Sequence, residues 1–140
     1  MIKYLGWMIF YKNCNFKKGE IIVKKDITNL EKLIVLWTSS DKEVAENMVF
    51  MYAYNAKKKK WWEKVCLIIW GPSAKLLSED VELQKYIVKM KDAGVKIEAC
   101  KACSDSYGVS SILEGFGIDV KYMGEPLTGY LKNGYKVITF

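Results

Sequence analysis

Leu33-Ile34-Val35-Leu36-Trp37-Thr38-Ser39-Ser40-Asp41 is the stretch that decides the fold class. Five apolar residues in a row mark a strand covered on both faces, because a strand with one wet face alternates. The polar residues that follow are loop formers and helix N-caps. The same grammar recurs downstream. Val65-Cys66-Leu67-Ile68-Ile69-Trp70 is a second apolar strand, broken at Gly71-Pro72, and Val95, Ile97 and Ala99 lead a third strand into Cys100. Val120-Lys121-Tyr122-Met123 and Tyr135 to Phe140 read as the fourth and fifth.

Amphipathic segments fill the gaps. Val44, Met48, Met51, Tyr52 and Asn55 recur at helical spacing and lead to four lysines, Lys57 to Lys60, whose simplest reading is a solvated helix end. After a loop and short turn, Ser78 or Asp80 opens a helix carrying Leu83, Ile87 and Met90, which Gly94 stops. Ile112, Leu113 and Phe116 mark the next helix, and Gly124-Glu125-Pro126 turns into a short one through Leu131. Strands alternating with helices imply an α/β fold, a three-layer αβα sandwich around a mostly parallel five-stranded sheet. This domain spans residues 31–140. Residues 1–30 differ in texture and read as an N-terminal extension: an arm, an added strand (Gly19-Glu20-Ile21-Ile22-Val23-Lys24-Lys25) or a partly disordered segment.

Composition removes whole classes of function. The chain has 140 residues and a formal net charge of +6, of which +4 lies in residues 1–26. Every basic residue is lysine; without arginine there is no bidentate fork for phosphate or guanine, which argues against specific nucleic-acid readout. Histidine is absent, which removes Ser-His and Cys-His pairs and the histidine zinc sites. No apolar run approaches the roughly 20 residues that cross a bilayer, and the short run Leu5 to Tyr11 lacks a signal-peptide cleavage pattern. The expectation is a cytoplasmic protein with no membrane partner.

In parallel α/β sheets, sites form beyond the carboxyl ends of the strands. Three loops therefore share one edge: Thr38-Ser39-Ser40, Gly71-Pro72-Ser73, and the cysteine segment Cys100 to Ser106 with Tyr107 at its end. Glu125 falls nearby. The chemistry-bearing motif is Cys100-Lys101-Ala102-Cys103, a strand-end thiol followed by a helix start at Ser104 or Asp105. A helix start directs unpaired N–H groups at such a thiol and favours thiolate, with Lys101 adding positive charge. Four readings stand. A zinc site would need Cys14 and Cys66 to fold back, and Cys66 sits inside a strand, so no metal is expected. A thioredoxin-type dithiol would follow the first strand rather than the third. A single reactive thiol that carries sulfur, with Cys103 resolving or incidental, is a third reading, and two structural thiols a fourth. No cofactor is expected. Thr38-Ser39-Ser40 as a phosphate cradle competes with plain helix capping.

From Glu31 to Phe140 the chain resembles the DsrE/DsrF-like family, on KLIVLWTSS, the long first helix, CLIIWGPSAKLL, GVKIEAC and SYGVSSILEGFGIDV. In the family's sulfur-relay members a cysteine at the end of this strand accepts sulfur as a persulfide, and that position falls on Cys100; Cys103 has no counterpart in the pattern. The resemblance implies a sulfurtransferase-like sulfur carrier that works between a donor and an acceptor protein. It also implies a homo-oligomer, a trimer or hexamer. The alternatives are a non-enzymatic scaffold or small-ligand binder with structural cysteines, and a peroxiredoxin-like dithiol protein, ranked lower because no arginine is present.

Overall fold

The computed structural model describes residues 31–140 and, before them, the backbone of two short strands, β1 (Cys14–Lys17) and β2 (Glu20–Val23), paired antiparallel. β2 lies within the segment read as a strand. The remaining expectations for residues 1–30 fall outside the described residues.

The main sheet contains β3 (Lys32–Trp37), β4 (Lys64–Ile69), β5 (Lys96–Cys100), β6 (Asp119–Lys121) and β7 (Lys136–Thr139). Their order is β6-β5-β4-β3-β7, and every neighbouring pair is parallel. The sheet is thus wholly parallel. Steps from β3 to β6 all move one way, and only the step to β7 returns. Right-handed crossovers therefore put every helix but the last on one face.

Packing follows from that asymmetry. Odd-numbered strand residues (Leu33, Val35, Trp37, Val65, Leu67, Ile69, Ile97, Ala99) meet a thick helix layer and form the principal core. Even-numbered ones (Ile34, Cys66, Ile68, Cys100) face a thin layer made by Met123, Leu127 and Tyr130 of α7 (Gly124–Lys132) and its entry turn. Each fully buried Leu, Ile or Val contributes about 1.5–3 kcal/mol, so the first face holds most of the stabilisation.

The first crossover departs from its expected face. It runs as α1 (Lys42–Val44), a π-helical turn (Ala45–Phe50) and α2 (Met51–Lys58). The buried stripe is Ala45, Val49, Phe50, Ala53 and Ala56, while Met48 and Met51 are about half exposed. A π turn holds an extra residue, so it rotates the downstream stripe away from simple 3.6 spacing. Phe50 meets Trp37 edge-on at 5.0 Å and Tyr86 at 5.4 Å.

The second crossover also differs. Gly71-Pro72 begins a helix at once instead of a loop: α3 (Pro72–Glu79) starts with proline, which suits the first turn because its missing N–H has no partner there. Gly71 at φ +70° makes the reversal. Asp80 then caps α4 (Val81–Asp92), accepting from Leu83 N–H at 3.0 Å. In the third crossover, α5 (Lys101–Ser106) and α6 (Ser110–Gly115), Leu113 is buried, but Ile112 faces outward, 45% exposed.

Candidate functional site

β5 carries Cys100 to its carboxyl end, and α5 starts immediately afterwards at Lys101, three or four residues before the expected Ser104 or Asp105 start. Cys100 is itself the N-cap, with extended φ −71° and ψ 114°. Its side chain belongs to the thin-face cluster with Ile34, Ile68 and Met123 and is 4% exposed. Cys100 is therefore not freely reachable, because it packs with Met123 of the turn leading into α7. Cys103, in the first turn of α5, is the more exposed of the two.

The Cys100 thiol and the Gly71 N–H are both near enough to the Cys103 thiol to act on its ionisation. Burial pushes the Cys103 pKa upward and the Cys100 thiol adds to that; the Gly71 N–H opposes it without reversing it. At neutral pH Cys103 rests as a thiol. The expected thiolate field is thus outweighed at Cys103, although two amides favour the thiolate: that of Gly71 in the β4–α3 turn and its own in the first turn of α5.

The other expected site residues divide. Gly71 joins the cysteine pair. Pro72 is the exposed first residue of α3. Lys101 is held by Asp105, at 2.8 Å, and Asp105 also accepts from the Ser110 hydroxyl, so the lysine charge is committed within α5. Ser104 is buried and donates to the Cys100 carbonyl at 2.8 Å; Ser106 donates to the Cys103 carbonyl. Tyr107 is 41% exposed at the end of α5, and Glu125 is exposed at the start of α7. Thr38 donates from both its backbone N–H and its hydroxyl to the Phe140 carbonyl, tying β3 to the β7 end. Ser39 accepts from Asp41 N–H, Asp41 caps α1, and Ser40 is exposed. Among the described residues, no group of three or more Cys, Asp or Glu is placed to hold a metal ion.

A profile of the DsrE/DsrF-like family matches residues 31–140. The chain belongs to that family. Among solved structures, it is similar to a conserved protein of unknown function from Bacteroides thetaiotaomicron, 45% identical, with a TM-score of 0.77 over 79% of this chain and 95% of that one. The ychN protein of E. coli shares the fold at 16% identity, with a TM-score of 0.63 over 78% of this chain and 98% of that one. No curated protein sequence matches. No helix among the described residues is long and apolar enough to cross a membrane.

One cluster in this DsrE-like domain was missed by sequence reasoning. Glu98, in the middle of β5, is fully buried on the thin face. Its carboxylate takes the ammonium groups of Lys96 and Lys121, the latter at 2.8 Å, and the Tyr130 hydroxyl at 3.0 and 3.1 Å. The Cys66 thiol lies 3.6 Å away. Burial and the Glu98 charge push the Cys66 pKa far up, so this thiol is inert. The available signal was period two: Lys96, Glu98 and Cys100 fall on one side of the strand, opposite Ile97 and Ala99.

Proposed function

We propose that this protein is a cytoplasmic sulfur carrier that takes up sulfane sulfur on the Cys100–Cys103 pair. The observation that carries the reading is the closeness of two thiols at the strand end where the family resemblance implies a persulfide acceptor, with the Gly71 N–H near one of them. Cys103 is the sulfur a donor reaches first, and Cys100 stands behind it. In the uptake step the Cys103 thiol loses its proton to solvent, and the thiolate attacks the outer sulfur of a donor persulfide. The donor's S–S bond breaks, the donor leaves as thiolate, and Cys103 holds the persulfide with no net oxidation. An acceptor thiolate then takes the outer sulfur by the same exchange. Donor and acceptor are proteins, and association of the carrier into a trimer or hexamer belongs to this reading.

The closeness of the two thiols favours a second reading. Cys100 thiolate attacking the inner sulfur of a Cys103 persulfide expels hydrosulfide and closes a disulfide, which an external reductant must reopen. Intact-mass spectrometry after incubation with a polysulfide donor separates the two. The carrier gains about 32 Da, one sulfur; the dithiol route loses about 2 Da, two hydrogens, relative to the reduced protein. Cys103→Ser removes the gain, and Cys100→Ser keeps it for longer. A Cys103→Ser protein that still gains one sulfur at Cys100 overturns the assignment of Cys103 as the first acceptor.

A further inference from the structure

The two edges of the main sheet are built differently. β6 is three residues long and carries Asp119 and Lys121, a short charged edge of the kind that resists pairing. β7 is the other edge. Its Val137-Ile138-Thr139 run holds neither charge nor proline, and among the described residues it has a ladder partner, β3, on one side only. Register fixes what this edge offers. Ile138 pairs with Val35 and so stands on the thick-layer face, 38% exposed, while Val137 packs into the thin-face cluster. Beside Ile138 lies a groove of about 320 Å³ walled by Met48, Met51 and Trp61 and ending at Phe140. The π turn that buries Val49 and Phe50 leaves Met48 and Met51 facing this groove, and Trp61 is 53% exposed. Among the described residues no charged side chain lines it, in a chain that is 27% charged.

We propose that this edge is a two-fold interface between two copies of the chain, with β7 pairing antiparallel to its own twin about Ile138. Charge and register choose a second copy as the occupant. A pairing that keeps like faces of the two sheets together opposes residues of the same parity. Centred on Ile138, it sets Val137 against Thr139 and Lys136 against Phe140 of the second copy, so no like charges meet. An uncharged apolar patch is complementary to itself, as a two-fold contact requires. Methionine and aromatic side chains without charge are also the make-up of an interface core. The product is one ten-stranded sheet in which each Ile138 meets the other and both grooves flank the axis. The cysteine pair follows β5, three strands away, so the interface is independent of the sulfur chemistry.

The test is sedimentation equilibrium of the full chain, where an even number of copies is expected at about 100 μM. Ile138→Lys sets two ammonium groups face to face on the axis and halves the assembly mass, with the circular dichroism spectrum unchanged. Ile138→Cys is the second variant, should Ile138→Lys perturb the fold. Opposed residues have Cβ atoms about 4.5–5.5 Å apart, near enough for a disulfide after small adjustment. Oxidised glutathione therefore links two copies of Ile138→Cys through paired Val137–Phe140 tryptic peptides. Val81→Cys, at a site 60% exposed on α4, measures the rate of chance linkage. A wild type that is monomeric or an odd assembly at about 100 μM overturns the proposal. So does a folded Ile138→Lys protein of unchanged mass, or Ile138→Cys copies that link no faster than Val81→Cys ones.

Discussion

Glu98→Ala removes the carboxylate on which β5, β6 and α7 converge. The side chain is fully buried, whereas its partners Lys96 and Lys121 are 57% and 35% exposed. Removing one member of a fully buried ion pair costs about 3–5 kcal/mol, because a charge is left stranded. Here the two ammonium groups can rehydrate, but the Tyr130 hydroxyl and the small void remain, so the cost falls to about 2–4 kcal/mol. Glu98→Gln keeps the shape and one acceptor and costs about 1–3 kcal/mol. Urea unfolding reads this directly: with a slope near 2 kcal/mol/M, Glu98→Ala shifts the midpoint down by about 1–2 M at unchanged slope. The pH dependence gives the sign. Burial raises the Glu98 pKa, but hydrogen bonds from Lys121, Lys96 and Tyr130 outweigh it, leaving it below its ordinary value. The unfolded state then binds more protons across the window from the ordinary value down to the folded one. The stabilisation is complete above the ordinary carboxylate pKa and is lost as pH falls through the folded value. Wild type therefore loses stability on acidification more steeply than Glu98→Gln. A Glu98→Ala midpoint matching wild type, or equal acid slopes, refutes the reasoning.

Further outcomes follow from the same packing. Phe50→Ala, at a fully buried ring between Trp37 and Tyr86, costs about 3–5 kcal/mol, while Met51→Ala, on the outward side of the π turn, stays within about 0.5 kcal/mol; thermal or urea melts of the two variants check it. Ser73→Ala removes a buried hydroxyl that donates to the Trp37 carbonyl at 2.7 Å and accepts from Trp70 N–H, and lowers urea stability by about 1–3 kcal/mol. Cys103 alkylates with a pH midpoint above the ordinary thiol value, and Cys66 reacts only on unfolding; iodoacetamide kinetics in buffer and in urea separate them.

The sheet was legible because a parallel sheet buries both faces, so β3 and β4 read as unbroken apolar runs, and every crossover needs a helix between strands. The face of the first crossover was not, since a π turn leaves no mark in local composition and Met48 and Met51 imitate a core stripe. Gly71-Pro72 was read as a break, although proline also opens helices. Glu98 escaped because a single acid inside Lys96–Cys100 looks like an edge position; only the fold shows that α7 seals that face and brings Tyr130 to the carboxylate. The cysteine pair was found from its place at a strand end, but that place did not show that Cys103 is the more exposed member. That order depends on Met123 and Leu127, distant in sequence, covering Cys100.

Trypsin offers the most direct test, because Lys101 separates the two cysteines into the peptides Ile97–Lys101 and Ala102–Lys121. Load the native protein with a polysulfide donor, trap persulfides with iodoacetamide, and map the added sulfur by tandem mass spectrometry. The carrier account predicts one extra sulfur on Cys103 in Ala102–Lys121, with Cys66 unmodified. No added sulfur on either peptide, or labelling confined to unfolded protein, contradicts it.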